Sequence, residues 1–298
     1  MIRVAHFSDV HWQVAPAWSD LLNKRLLGSA NLYLRGRAAE FDERAQAALV
    51  ASVVEAQPTA VVITGDLTAQ ALPAEFEKAR AALAPLLDRV PTLVQNGNHD
   101  VYVGEAQRGH FLAKSFGSWM HGGDVGLARL DVGSLTVLGL DPNRATTIDA
   151  SGEVPPAQLD ALKAALDGDD LDGRSVLLAL HYPVVGPSSS PYDGWYHGLR
   201  NARALIDVLA NARHAPVAVL HGHKHHAYHA TIAAGSRAIP QYDPGSGGWA
   251  FDPAHGRAAA YNVYTLDGGS VSAQRFVWDG ATFAPERTAD IAGARAAG

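Results

Sequence analysis

Short apolar runs rich in β-branched residues recur along the chain, and each run ends in polar residues or glycine. Continuous runs of this length are typical of strands that are covered on both faces. They occupy residues 2–7, 60–64, 92–94, 135–140, 176–180 and 217–220. Segments with helical periodicity lie between them, at residues 40–55, 73–87, 156–166 and 199–212. Alternation of strands and helices predicts an α/β fold.

Five polar clusters stand at the carboxyl ends of these predicted strands, the edge where open α/β sheets bind ligands. They are Asp9-Val10-His11, Gly65-Asp66, Gly97-Asn98-His99-Asp100, His181, and Gly222-His223-Lys224-His225. Each cluster alone is a common turn or surface feature. Because all five deliver only Asp, Asn and His as ligand types to one edge, together they predict a metal site.

Beyond His225 the pattern changes. Residues 261–266 and 271–278 alternate in polarity around Asp267-Gly268-Gly269, which predicts a terminal β-hairpin. We expect one domain over residues 1–286, with a cap-like insertion at 12–39 and a flexible tail at 287–298.

Composition narrows the chemistry. The 298 residues contain no cysteine, which excludes disulfides, thiolate metal sites and a cysteine nucleophile, whereas 14 histidines are available as nitrogen ligands. The 24 basic and 30 acidic residues give a net charge of −6, so a nucleic-acid polymer is not an expected partner. Asp9 interrupts the N-terminal apolar run before a signal peptide could be complete, and no run approaches the ~20 apolar residues of a membrane span. We expect a cytoplasmic protein.

The ordered clusters from Asp9 to His225 resemble those of the calcineurin-like metallophosphoesterase superfamily, whose pattern is D-x-H, G-D, G-N-H-D/E, H and G-H-x-H. The layout looks most like the bacterial class III cyclic-nucleotide phosphodiesterases. This resemblance implies a four-layer α/β/β/α sandwich whose two sheets meet over a dinuclear metal centre.

The resemblance also implies the ligands of two divalent metal ions, which the carboxylate of Asp66 would bridge. The first ion would be held by Asp9, His11 and His225, and the second by Asn98, His181 and His223. Two cations need a shared anion to offset their repulsion, and a carboxylate with two oxygens provides one. Imidazole combined with carboxylate and amide oxygen suits Mn²⁺, Fe or Zn²⁺, whereas Mg²⁺ and Ca²⁺ prefer oxygen alone.

The implied reaction is phosphodiester hydrolysis of a small phosphorylated substrate by a metal-bridging hydroxide. His99 would donate a hydrogen bond or proton to the substrate, and Asp100 would orient its neighbours. Phosphoprotein phosphatases extend the second motif to G-D-x-x-D-R-G, but here Ala69-Gln70 replaces the second aspartate and the arginine. The departure argues against a protein phosphatase and leaves the partner that orients His99 unidentified.

Candidate substrate contacts follow His181. Tyr182 stands where many relatives have a second histidine, and its phenol is able to hydrogen-bond phosphate. Trp195, Tyr196 and His197 lie in a loop rich in serine, proline and aromatic residues that could line the pocket, although packing of the loop on itself explains it equally well.

Residues 18–37 form a basic amphipathic segment, with leucines near one helical face and Lys24, Arg25, Arg35 and Arg37 around it. The simpler interpretation is a helical cap that packs its leucines on the core and carries solvated arginines. Alternatively, the segment rests on the inner membrane face, which makes a nucleotide-lipid pyrophosphatase of the UDP-diacylglucosamine type credible. A non-catalytic scaffold that keeps the fold is a third hypothesis.

Overall fold

The computed structural model describes residues 1–17, 25, 37–123, 125–146, 148–267 and 270–286. In this part of the chain two six-stranded sheets form, with the strand orders β12-β11-β10-β1-β2-β3 and β4-β5-β6-β7-β9-β8. The strands are β1 (Ile2–Phe7), β2 (Ala60–Ile63), β3 (Thr92–Val94), β4 (Ala128–Val132), β5 (Leu135–Gly139), β6 (Ser175–Ala179), β7 (Ala218–Leu220), β8 (Tyr228–Ala234), β9 (Arg237–Asp243), β10 (Ala260–Asp267), β11 (Ser270–Trp278) and β12 (Phe283–Pro285).

The α-helices of the described residues are α1 (Glu43–Glu55), α2 (Pro73–Leu87), α3 (Gly104–Arg108), α4 (Phe111–Met120), α5 (Pro156–Leu166) and α6 (Ala202–Asn211). Helix α1 begins later than the periodicity predicts because Asp42 caps it, accepting a hydrogen bond from the backbone N–H of Arg44 at 2.8 Å. Helix α2 begins at Pro73, as predicted, where a missing N–H costs no intrahelical bond. Helices α3 and α4 were not predicted.

Parallel pairing brings the polar clusters to one edge in each sheet. Strands β1, β2 and β3 are parallel neighbours in the first sheet, and β5, β6 and β7 are parallel neighbours in the second. The predicted terminal hairpin is β10 with β11, and β10 lies antiparallel to β1, so it completes the first sheet. A second hairpin, β8 with β9, was missed.

Alternate side chains of each strand pack on opposite faces. Val4 and Val62 point inward, where they meet Leu177 of the second sheet. Their neighbours Phe7 and Ile63 pack outward in the cluster that contains the buried faces of α1 and α2. In the second sheet the outward residues, such as Leu178, pack with α5 and α6. The chain is therefore the mixed α/β fold with two sheets that the sequence predicts.

Across the described ranges no helix has the length and apolarity that crossing a bilayer requires. The predicted tail at 287–298 lies outside these ranges, as does most of the predicted cap.

Candidate functional site

All seven predicted metal ligands come together where the parallel strands of both sheets end. Four of them, Asp9, His11, Asp66 and His225, have ligand atoms that all lie within 4.8 Å of one another. The other three cluster around the side-chain oxygen of Asn98, which lies 3.1 Å from Nε2 of His181 and 2.8 Å from Nδ1 of His223.

In the first group, two imidazoles and one carboxylate converge on the same space. Nε2 of His11 lies 3.1 Å from Nε2 of His225, and Oδ1 of Asp9 lies 3.2 Å from that same nitrogen of His225. Asp9 is fully buried, and although Nε2 of His225 is close to its Oδ1, no described residue is oriented to donate a well-formed hydrogen bond to that oxygen. A buried anionic oxygen without a donor is costly unless a cation faces it. The first group therefore fits a divalent metal ion.

Asp66 links the two groups through a single oxygen. Its Oδ2 lies 3.7 Å from Nε2 of His11 and 3.5 Å from Nε2 of His181. Its Oδ1 instead accepts a hydrogen bond from the backbone N–H of His99 at 2.7 Å. The sequence predicts a bridge through both carboxylate oxygens; in the structure one oxygen faces both groups, because the other accepts a hydrogen bond from the backbone.

Backbone carbonyls fix which nitrogen each histidine presents. Nδ1 of His11 lies 3.1 Å from the carbonyl of Thr68, and Nδ1 of His181 lies 2.7 Å from that of Thr64. For His223 it is Nε2 that lies 3.0 Å from a carbonyl, that of His197. Since a carbonyl only accepts, the bonded nitrogen carries the proton and the other presents its lone pair. His11 and His181 thus present Nε2, whereas His223 presents Nδ1.

Burial and neighbouring charges set the protonation of these groups. Burial lowers the pKa of His11 to about 3 and that of His223 well below its usual value, so both are neutral imidazoles with a free lone pair. Burial also acts to lower the pKa of His181, but the charge and hydrogen bond of Asp66, the charge of Asp9 and the hydrogen bond to the Thr64 carbonyl together outweigh it and raise this pKa to about 10. Burial raises the pKa of Asp66, while the charges on His181 and His99 bring it well below its usual value. The positive charge that Asp66 favours can come from a proton or from a metal ion.

The ligand residues also share an unusual backbone conformation. Five of the seven have positive φ, with values of 55°, 52°, 52°, 74° and 60° for Asp9, His11, Asp66, His223 and His225. Residues with a side chain adopt this left-handed region at a cost of roughly 1–2 kcal/mol each. Such strain concentrates at functional sites.

Close packing requires glycine at two positions of the polar clusters. A Cβ at Gly97 would lie 2.1 Å from Oδ1 of Asp66, and one at Gly222 would lie 2.3 Å from Oδ2 of Asp9. Both contacts are far inside van der Waals distance, so a side chain at either position would displace a ligand.

His99 lies beside the ligand groups and is oriented by a backbone atom. Its Nδ1 lies 2.7 Å from the carbonyl oxygen of Ala69, and its ring stacks on Tyr102 with a centroid distance of 5.4 Å. Ala69 occupies the position of the aspartate that the extended motif would carry. This carbonyl is the orienting partner that the sequence left unidentified, and a backbone acceptor has no side-chain signature.

Asp100 joins two loops of the site. It is 1% exposed and accepts hydrogen bonds from the backbone N–H groups of Leu67, Thr68 and Gly97. Burial, and then the charge of Asp66, raises the pKa of Asp100 to about 7. Since the carbonyl of Thr68 in turn bonds His11, the backbone links Asp100 to a predicted ligand.

A cleft of about 400 Å³ opens over the site. Its wall carries two cationic side chains: Lys224, which donates to the hydroxyl of Tyr192 at 3.2 Å, and Arg257, which pairs with Glu40 at 3.0 Å. Lys224 lies between two predicted ligands and was detectable from sequence as a lining residue, whereas Arg257 belongs to no motif. The full lining is Glu40, Asp66, Asn98, His99, Ala150, Tyr192, His197, His223, Lys224, His225, His226, Trp249 and Arg257.

The four residues predicted to contact substrate differ in their exposure and in their position relative to the cleft. Tyr182 is fully buried and its hydroxyl donates to the carbonyl of Ala150 at 2.9 Å, so the structure does not support the predicted phosphate contact. His197 lines the cleft. Trp195 and Tyr196 are 70% and 44% exposed on the same loop, but they do not line the cleft.

The amphipathic segment at 18–37 lies outside the described residues except for Arg25 and the backbone of Arg37. Arg25 is 2% exposed and donates to the carbonyls of Gln70 and Ala71. The expectation that the arginines of this segment face solvent or lipid is therefore wrong for Arg25, because its guanidinium hydrogen-bonds the protein backbone.

Comparison with known proteins gives one family and several related folds. The profile of the family described as calcineurin-like phosphoesterase matches residues 2–227. A probable cyclic nucleotide phosphodiesterase of Rhodococcus erythropolis is 32% identical over 186 residues, which cover 60% of this chain and 55% of that protein. The match thus spans only about half the length of this relative.

Two solved structures share the fold at low sequence identity. A dimetal phosphatase from Danio rerio has a TM-score of 0.60 at 15% identity, covering 93% of this chain and 95% of its own. A purple acid phosphatase from yellow lupin seeds has a TM-score of 0.60 at 14% identity, covering 95% of this chain and 52% of its own.

Proposed function

Since this chain belongs to the calcineurin-like phosphoesterase family, we propose that it is a dimetal hydrolase of small phosphodiesters, with cyclic nucleotides among its substrates. The observation that carries the proposal is the convergence of two ligand groups on Oδ2 of Asp66 at the floor of a cleft, with His99 beside them. A cleft of about 400 Å³ suits a small molecule.

In this proposal the two groups would hold two divalent cations, Mn²⁺, Fe or Zn²⁺, and Asp66 would contribute to both. Asp9, His11 and His225 would hold one cation, and Asn98, His181 and His223 would hold the other. When bound, such a pair of cations polarises the phosphoryl group and lowers the pKa of water.

The side chains of the cleft then complete the reaction. With Nδ1 engaged by Ala69, His99 has Nε2 free to donate to a phosphoryl or leaving-group oxygen. Lys224 adds positive charge at the wall that an anionic substrate passes, whereas Glu40 offsets the charge of Arg257.

Two observations favour a phosphodiester over a phosphoprotein. The Rhodococcus relative is named as a probable cyclic nucleotide phosphodiesterase. The aspartate and arginine of the phosphoprotein phosphatase motif are replaced by Ala69 and Gln70.

The loop beside the cleft offers a surface for a nucleobase. The rings of Trp195 and Tyr196 lie 5.3 Å apart and are both exposed, while their carbonyls accept hydrogen bonds from Arg200 and from the backbone of Ala150. In this proposal the anchored aromatic pair, with His197, contacts the base or sugar of the substrate.

The test is a substrate screen of the metal-loaded protein with cyclic nucleotides, glycerophosphodiesters, nucleotide-diphospho-lipids, phosphomonoesters and bis(p-nitrophenyl) phosphate. We expect the diesters to be cleaved fastest. His99→Ala should lower kcat by roughly 10²–10⁴-fold while both metal ions are retained. Trp195→Ala should raise KM for cyclic nucleotides but not for bis(p-nitrophenyl) phosphate.

Failure to cleave any diester with two ions bound would refute the proposal and favour a scaffold. Preference for the diphospho-lipid would instead support the pyrophosphatase hypothesis.

A further inference from the structure

We propose that Arg25 is a positioning residue that holds the Ala69 carbonyl, and through it His99, in the geometry of the reaction proposed above. The inference rests on that function for the role of His99. It adds a residue that lies outside every metallophosphoesterase motif in this sequence.

The orientation of the His99 ring depends on one hydrogen-bond acceptor. The carbonyl oxygen of Ala69, 2.7 Å from Nδ1, requires the proton of the imidazole to be on that nitrogen. Nε2 is thereby directed to the other side of the ring. A shift of the carbonyl would rotate the imidazole ring or allow the proton to move from Nδ1 to Nε2. A misplacement of about 1 Å in a reacting group can lower the rate on the order of 10²-fold.

Side-chain hydrogen bonds hold the turn that carries this carbonyl. Arg25 donates from Nε to the carbonyl of Gln70 at 3.0 Å and from Nη2 to that of Ala71 at 2.7 Å. Glu75 accepts from the backbone N–H groups of Gln70 at 2.9 Å and Leu72 at 3.1 Å. Arg25 therefore holds the turn from its carbonyl side, and Glu75 holds it from its amide side.

The turn needs such a clamp because its backbone is strained. Ala71 has a φ of 53°, which a residue with a side chain adopts only at a cost. Without Arg25, the carbonyls of Gln70 and Ala71 would lose their charged donor and the turn would be free to relax. Ala69 lies immediately before these two residues, so relaxation there would displace the acceptor of His99.

The guanidinium of Arg25 is buried, so it must be compensated; two carbonyls and Glu105, 3.2 Å from Nη1, do this. The three acceptors lie on different nitrogens of one planar group, which a lysine cannot reproduce. Arg25 does not line the cleft, so its effect on catalysis must pass through the turn.

The test compares two substrates that differ only in the leaving group: methyl p-nitrophenyl phosphate and methyl phenyl phosphate. If His99 assists departure of the leaving group, its removal slows the phenyl substrate more, because phenolate is the poorer leaving group. We expect Arg25→Ala to reproduce this selective loss, lowering kcat roughly tenfold for the phenyl substrate and less than about threefold for the nitrophenyl substrate. Arg25→Lys should lie between Arg25→Ala and the parent.

A double-mutant cycle separates positioning from a general structural effect. If Arg25 acts through His99, Arg25→Ala combined with His99→Ala should be no slower than His99→Ala alone. The matched control is Arg275→Ala, which removes a partly buried arginine that, like Arg25, bonds a backbone carbonyl, that of Pro244, and a carboxylate, that of Glu286. It should slow both substrates equally or not at all.

A second readout does not depend on turnover. The ¹⁵N spectrum of the His99 imidazole should report the Nδ1–H tautomer in the parent and a mixture of tautomers in Arg25→Ala and Arg25→Lys. A pattern of losses on the two substrates that differs from that of His99→Ala, additive losses in the double variant or an unchanged tautomer would each overturn the inference. Absence of all turnover in the parent would instead reject the proposed function, and the tautomer measurement would still decide whether Arg25 holds His99.

Discussion

His223 approaches the side-chain oxygen of Asn98 with Nδ1, at 2.8 Å, while its Nε2 lies 3.0 Å from the carbonyl of His197. His181, on the other side of the same Asn98 oxygen, approaches with Nε2 at 3.1 Å. The two histidines therefore serve one group of ligands through different nitrogens, because the backbone carbonyl that each one bonds is on a different side of its ring.

This difference predicts that the amide residue that best preserves metal binding is asparagine at position 223 and glutamine at position 181. An asparagine amide places its atoms where Nδ1 stands, and a glutamine amide reaches to where Nε2 stands. We expect His223→Asn to bind metal more tightly than His223→Gln by roughly tenfold, and His181→Gln to bind more tightly than His181→Asn. Metal titration monitored by calorimetry measures both orders.

The two positions act as controls for each other. If glutamine is the better replacement at both, His223 binds through Nε2 and the assignment of Nδ1 is wrong.

Asp66→Asn tests the bridge. The substitution keeps an oxygen that can accept from the N–H of His99 but replaces Oδ2, which faces both ligand groups, with an uncharged amide. We expect elemental analysis to show a fall from two ions to about one or fewer, and kcat to fall by roughly 10³-fold or more. Asp131→Asn, on the surface of β4, is the control and should retain both ions.

Tyr182→Phe distinguishes packing from substrate binding. Loss of the hydroxyl removes only the hydrogen bond to Ala150 and leaves the ring against His223. We expect the free energy of unfolding to fall by about 1 kcal/mol and kcat/KM to change less than about threefold. A large increase in KM with unchanged stability would instead support the predicted contact between the Tyr182 hydroxyl and the substrate.

Glu75→Gln should alter the pH dependence of stability. Glu75 is fully buried, and burial raises its pKa from 4.5 to about 7. Between these pH values the folded protein keeps a proton that the unfolded chain releases, so the contribution of Glu75 to stability declines as pH rises from about 4.5 to about 7. Glutamine stays neutral and keeps an acceptor for the two N–H groups.

We therefore expect Glu75→Gln to match the parent near pH 5 and to exceed its free energy of unfolding by on the order of 2 kcal/mol at pH 8. Urea unfolding across this pH range measures the difference between the two curves. Glu77→Gln, an exposed position on the same helix, should leave the curve unchanged, and parallel curves for Glu75→Gln would contradict the pKa of Glu75 given above.

The sequence predicts well which side chains come together, because strand ends, residue types and their order are all properties of the sequence. Asp9, Asn98 and His225 each follow a strand whose apolar run is unmistakable. The sequence does not predict the contacts that backbone atoms make. The carbonyls of Thr64, Ala69 and His197 orient three imidazoles, and any residue type at those positions would offer the same atom.

Two other differences have physical reasons. Tyr182 follows the fully buried His181 and is itself buried. The motif therefore predicts that Tyr182 lies near the site, but it does not predict the direction of the hydroxyl. The hairpin of β8 and β9 was missed because many of its buried positions are alanine, as at Ala230 and Ala234, which weakens the alternation. Its two-residue connection, Gly235-Ser236, was the available signal, with Gly235 at a φ of 62°.

The left-handed backbone at Asp9, His11, Asp66, His223 and His225 places the site in conflict with the stability of the fold. Glycine or asparagine at these positions would relieve conformational energy and give a more robust protein that binds no metal. Metal binding and the stability of the fold therefore place opposite demands on these five positions.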